Sequence, residues 1–322
     1  MKLNGKMKTM NKTNLKTKRQ QLTQKNFKTL ANKAVELCPI LGLNETGLPI
    51  VAVFFKKILL YFVLDSGAHQ NVLDIRVYNA LKDQLKSLPS QGNIVGFEGQ
   101  HIDIAQRFSM KFSLQNHYFE EEFSAMEIPG FDYMATQTGV RVHGILGSAF
   151  FTRHNIILDY NLAKLYKARN KQSSHAQLHQ YAELFPLLGI EETGLPFVMA
   201  YHKDVLLQFF LDTGGQDNIL DTAVSDQLKD QLKHIPIEGG KLVGFEGQQH
   251  ETGCRLGMRF EISGQTFNDD FTPMHIPGFD YVEENFGVHL DGLLGSEFAI
   301  NQKLIIDYSQ QMIYRAAKNE KK

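Results

Sequence analysis

The chain has 322 residues, 43% of them hydrophobic, enough for two domains of ordinary size that each bury a core. Its formal net charge of −1 is unevenly spread: residues 1–35 hold ten of the 34 basic groups and no acidic one, so the rest carries 24 basic against 35 acidic residues. That acidic body argues against nucleic acid as a partner, and with no apolar run near the roughly 20 residues a membrane helix needs, no membrane partner is expected either.

Residues 1–35 are rich in Lys, Asn and Thr and read as a basic, disordered tail. They lack the apolar centre of a secretory signal, so the expected location is cytoplasmic. Cys38 and Cys254 fall at non-equivalent places and read as free thiols, not as a disulfide framework or a metal cluster.

An internal repeat organises everything else. Leu81–Lys86 (LKDQLK) returns at Leu228–Lys233, 147 positions on, while Val95–Gln100 (VGFEGQ) and Ile128–Tyr133 (IPGFDY) return 148 positions on, at Val243–Gln248 and Ile276–Tyr281. The change from 147 to 148 marks one inserted residue near Gly239–Gly240. The repeat divides the chain into a first lobe (36–168), a linker (169–182), a second lobe (183–316) and a short tail (317–322). A period of that size is a duplicated domain, not a solenoid.

Each lobe opens with a β-hairpin: Pro49–Phe55 and Ile58–Leu64 around Lys56-Lys57, then Pro196–Tyr201 and Val205–Leu211 around His202–Asp204. Leu73, Val77, Leu81 and Leu85 follow at every fourth position, as do Leu220, Val224, Leu228 and Leu232. That stripe predicts one amphipathic helix per lobe, capped by Asn71 or Asn218 and closed before Pro89 or Pro236. Short strands such as Asn155–Asp159 and Lys303–Asp307 complete a mostly β unit. IPGFDY, despite Asp132 and Asp280, reads as a structural turn around Pro-Gly. The histidines show no repeated ligand spacing, and His143 is matched by Asp291, so no metal is expected.

The second strand of each hairpin runs into an acidic residue, a small hydroxyl residue and glycine: Asp65-Ser66-Gly67-Ala68 and Asp212-Thr213-Gly214-Gly215. Later in each lobe come two aliphatic residues and glycine, Ile145-Leu146-Gly147 and Leu293-Leu294-Gly295. A single Asp-x-Gly is ordinary turn chemistry. Two copies at matched positions, each after an apolar strand and each followed by the second motif, are specific.

These motifs resemble those of aspartic proteases. The strings GILGSAFF and GLLGSEF, with the trailing IILDY and LIIDY, look like the retropepsin-like branch. The resemblance implies an all-β acid-protease fold with one inserted helix per lobe, whose two homologous lobes form an intramolecular pseudo-dimer and a monomeric enzyme. It makes Asp65 and Asp212 the catalytic pair acting on a peptide or protein substrate without cofactor. Two facing carboxylates share one proton, so one activates a water while its partner polarises the scissile carbonyl. Ser66 and Thr213 would lock the two loops together through their hydroxyls, and Gly67 and Gly214 would leave room for substrate. VGFEGQ would be the flap, with Gly96, Gly99, Gly244 and Gly247 giving backbone freedom and Phe97 and Phe245 covering the cleft. Family members adapted to acid often carry Ser or Thr where this chain has Ala68 and Gly215. The alternative is a catalytically silent peptide-binding module or scaffold on the same fold.

Overall fold

The computed structural model describes residues 34–89, 93–96, 99, 101–169, 181–245 and 247–316. Each half of the chain folds its own seven-stranded sheet, and a six-stranded sheet joins the halves. In the first lobe the hairpin strands Ile50–Phe55 and Ile58–Asp65 pair in antiparallel register, with Val53 opposite Leu60. The second lobe repeats this with Phe197–His202 and Val205–Leu211, so His202 belongs to the strand and the turn is Lys203-Asp204. Strand Gly144–Gly147 lies parallel to Ile58–Asp65, and Gly292–Leu294 parallel to Val205–Leu211.

Matched phenylalanines fill both cores. Phe62–Phe123 and Phe112–Phe119 have ring centroids 5.8 and 5.6 Å apart, and their counterparts Phe209–Phe271 and Phe260–Phe267 lie at 5.5 and 5.7 Å. Burying each such ring contributes about 1.5–3 kcal/mol, so duplicated ring packing is a main reason the two lobes keep one architecture.

The joining sheet runs in the order 34–39, 164–168, 156–159, 304–307, 312–316, 181–186. At its centre Leu158 of one lobe pairs with Ile306 of the other. Ala34 and Val35, read as tail, and Tyr181 and Ala182, read as linker, are strand residues of this sheet.

The striped helix is shorter than its periodicity implies. Leu73 sits in strand Val72–Asp74 and Leu220 in Ile219–Leu220; the helices span only Ile75–Leu81 and Thr222–Leu228. Asp74 and Asp221, not the asparagines, cap them, accepting from the Arg76 and Ala223 amides at 2.9 and 2.8 Å. Leu85 and Leu232 lie beyond a further turn of 3₁₀ helix. IPGFDY is no simple turn: it opens the ten-residue helices Pro129–Thr138 and Pro277–Phe286. Further short helices, Ser148–His154 and Ser296–Gln302, follow the aliphatic-aliphatic-Gly strands. The inserted residue coincides with a register shift between Pro236 and Gly240 in the long second-lobe hairpin. Among the described residues no helix is long and apolar enough to cross a membrane.

Candidate active site

The two Asp loops meet where the hairpin strands end. Gly147 lies beside Asp65 in the parallel ladder, and the Asp212 amide donates to Leu294 O at 3.0 Å. Each aliphatic-aliphatic-Gly strand therefore runs directly behind an Asp loop. Its glycine must be small: a Cβ on Gly147 would lie 2.5 Å from Ala68 O, and one on Gly295 would lie 2.5 Å from Asp217 O.

Ser66 and Thr213 form a reciprocal interlock across the lobes. The Ser66 amide donates to Thr213 Oγ1 and the Thr213 amide to Ser66 Oγ, both at 2.9 Å. Each hydroxyl then donates at 2.7 Å to the residue before the opposite aspartate, Ser66 Oγ to Leu211 O and Thr213 Oγ1 to Leu64 O. Both residues are buried, so four bonds shielded from water fix one loop against the other.

The interlock brings the Asp65 and Asp212 carboxyls into hydrogen-bonding contact. Gly67 and Gly214 make the space, but for the opposite carboxyl: a Cβ on Gly67 would come 2.6 Å from Asp212 Oδ1, and one on Gly214 would overlap the Asp65 carboxyl. Asp65 Oδ1 accepts from the Gly67 and Ala68 amides at 2.8 and 3.0 Å, and Asp212 Oδ1 from the Gly214 amide at 2.9 Å. Burial, and after it the Asp212 charge, push the Asp65 carboxyl well above the usual range. Burial raises Asp212 as well, against hydrogen bonds from Asp65 and nearby amides that lower it. A pair placed this way holds one proton jointly at a pH where isolated carboxyls have lost both.

Several supporting residues carry no signal in the motifs. Asn71 and Asn218, expected as helix caps, instead accept from the Gly147 and Gly295 amides, each at 3.0 Å, tying Asp loop to aliphatic strand. Their signal was the identical spacing from Asp65 and from Asp212. A repeated Glu-Thr-Gly-Leu-Pro, at Glu45–Pro49 and Glu192–Pro196, reaches across the lobes: Ser296 Oγ donates to Gly47 O, and a Cβ on Gly194 would lie 2.5 Å from His69. Beneath the interlock the buried Tyr160 faces Thr213 and Tyr308 faces Ser66, although neither phenol closes a hydrogen bond of normal geometry.

Above the carboxyls runs a cleft of about 1190 Å³ shared by both lobes. Val72, Ile128 and Ile145 line one side, Ile219, Phe279 and Leu293 the other. Gly96, Gly244 and Phe245 also line it, while Phe97 lies outside the described residues. The Gly99 and Gly247 amides close matching turns on Gly96 O and Gly244 O, both at 3.0 Å. Among the described residues no three His, Cys, Asp or Glu side chains gather as a metal-binding group.

The architecture is a two-lobed acid-protease fold. It is similar to the crystal structure of an aspartic proteinase from Irpex lacteus, with a TM-score of 0.51 and 10% identity over 89% of this chain and 98% of that one. No protein-family model and no curated protein matches the sequence.

Proposed function

We propose that the chain is an aspartic endopeptidase of the retropepsin-like branch, with Asp65 and Asp212 as its catalytic pair. One observation carries the reading: two buried carboxyls, one from each lobe, in hydrogen-bonding contact beside an open apolar cleft. A purely structural turn has no need of such a pair, because burying two like charges is costly unless they share a proton.

A water held between the carboxyls loses a proton to the ionised one as its oxygen attacks the peptide carbonyl carbon. The protonated partner donates to the carbonyl oxygen, giving a neutral gem-diol. Collapse of the diol breaks the C–N bond, and the proton taken from water passes to the leaving amine. One diol hydroxyl returns a proton to the partner carboxylate, leaving a carboxylic acid product and the pair singly protonated again. The cycle consumes one water and needs no metal or cofactor.

Both halves of the site come from one chain, so the active species is a monomer and specific activity stays constant on dilution. Asp65→Asn and Asp212→Asn should each abolish peptide cleavage, and the double variant should be no worse, because the pair acts as a unit. Substantial turnover by either single variant would overturn the assignment.

A further inference from the structure

The repeated IPGFDY has no part in the chemistry above, yet it recurs as faithfully as the Asp loops. In each copy Pro opens a helix whose first amides have no partner within it. One of these finds its partner in the other lobe: the Gly130 amide donates to Phe245 O at 2.9 Å. The approach is close enough to require glycine. A Cβ on Gly130 would lie 2.7 Å from Gly244 O and 2.9 Å from Phe245 Cα.

Side chains follow the backbone. The Phe245 ring meets Phe131 edge-on at 5.8 Å and packs against the first-lobe cluster that includes Ile128, Val142 and Ile145. At the turn, a Cβ on Gly247 would come 2.9 Å from Pro129 Cβ. The relation is mutual, since Gly99 of the first lobe faces Pro277 of the second, a Cβ there lying 3.2 Å from Pro277 Cβ. Both flap glycines hold positive φ, 72° and 84°, which sets the tight turn that reaches the seat.

We propose that the Ile-Pro-Gly-Phe start of each cleft helix is the receiver for the opposite lobe's flap, so that each lobe positions the cover over its own half of the cleft. The inference rests on the peptidase reading and adds two roles to it. Pro129, Gly130 and Pro277 are positioning residues. Phe245, supplied by the second lobe, becomes a wall of the first-lobe apolar subsite beside Ile128 and Ile145 and selects the size of the substrate side chain held there.

The test compares Gly130→Ala with Gly253→Ala, a strand position where a Cβ meets no atom within 4 Å. Amide exchange by mass spectrometry reads the flap without any catalysis. Gly130→Ala should speed exchange across residues 243–249 about tenfold while the joining sheet stays protected. On a peptide library it should raise KM about 5–10-fold, with kcat changed less, as expected for a loosened cover. Phe245→Ala, an alteration confined to the flap, should speed exchange at the Gly130 amide and move the preference toward larger side chains. Flap exchange in Gly130→Ala equal to that of Gly253→Ala, or an unchanged Gly130 amide in Phe245→Ala, overturns the receiver. A wild type that cleaves no peptide would overturn the peptidase reading alone, because the exchange result stands apart from it.

Discussion

His143 and Asp291 occupy equivalent positions and hold the same strand by different chemistry. The Tyr61 amide donates to His143 Nδ1 at 3.0 Å, and the Gln208 amide donates to Asp291 Oδ2 at 2.7 Å. One task, anchoring the strand that leads to each Asp loop, is thus done by an imidazole in one lobe and a carboxyl in the other.

The difference makes one lobe sensitive to mild acid. Because Nδ1 accepts, the folded protein needs neutral His143, and burial, helped by Arg141, lowers its pKa below the ordinary 6.5. As pH falls the unfolded chain therefore takes up this proton first. The contribution of His143 is full above that ordinary value and drains away as pH falls toward the folded one. His143→Asp should keep the acceptor and flatten this loss between pH ~7.5 and ~5.5, by less than about 1 kcal/mol because the ring is only half-buried. Urea midpoints at the two pH values measure it; equal slopes in both proteins would refute the account.

The interlock predicts a sharp split between two substitutions at Thr213. Thr213→Ser keeps both bonds of the hydroxyl and loses one methyl, a cost of about 1 kcal/mol. Thr213→Val leaves the Ser66 amide and Leu64 O buried without partners, a cost of about 2–5 kcal/mol. Denaturant unfolding reads the stability, and peptide turnover should fall far more in the valine variant. Similar losses in the two would show that the hydroxyl does not hold the loops together.

The two Asp loops and the duplication are legible in the sequence because both are local strings repeated intact. What it concealed depends on contacts between lobes. Asn71 and Asn218 look like caps because they precede a striped segment, yet their partners, Gly147 and Gly295, lie more than 70 positions away. A leucine every fourth position cannot say where strand yields to helix, and the Asp74 and Asp221 caps settle it. IPGFDY reads as a turn because Pro-Gly is turn chemistry, while the reason for Gly130 sits in the other lobe, at Gly244 and Phe245.

Asp307 gives a stability prediction of opposite sign to His143. It is wholly buried in the joining sheet, with Oδ1 accepting from Ser309 and Gln310 and Oδ2 without a partner. Burial pushes its carboxyl up to about 6 from an ordinary 3.8. The folded state thus holds this proton more tightly than the unfolded chain. The resulting stability is full below the ordinary value and is lost as pH rises through the folded one. Asp307→Asn should be more stable than wild type at pH ~8 by about 1–3 kcal/mol, with the advantage shrinking toward pH ~4. A variant equally destabilised at both pH values would show that shape, not charge, governs the site.

The proposed peptidase should work at a pH set in part by the residues that follow its two Asp triplets. Residues 68 and 215 follow the two triplets beside the carboxyls; a Cβ on Gly215 would stand 3.0 Å from Asp212 Oδ2. A hydroxyl there would donate to the ionised form and lower the apparent pKa values of the pair. Ala68 and Gly215 offer no such side-chain donor, and burial already raises both carboxyls. The singly protonated pair therefore persists to higher pH, and kcat/KM should peak in the weakly acidic to neutral range. The approach at Gly215 is tight, so Ala68→Thr is the better probe: it should shift the bell-shaped profile toward acid by about half to one pH unit. A wild-type optimum in strong acid, or a profile unmoved by Ala68→Thr, would show that other groups set the proton affinity of the pair.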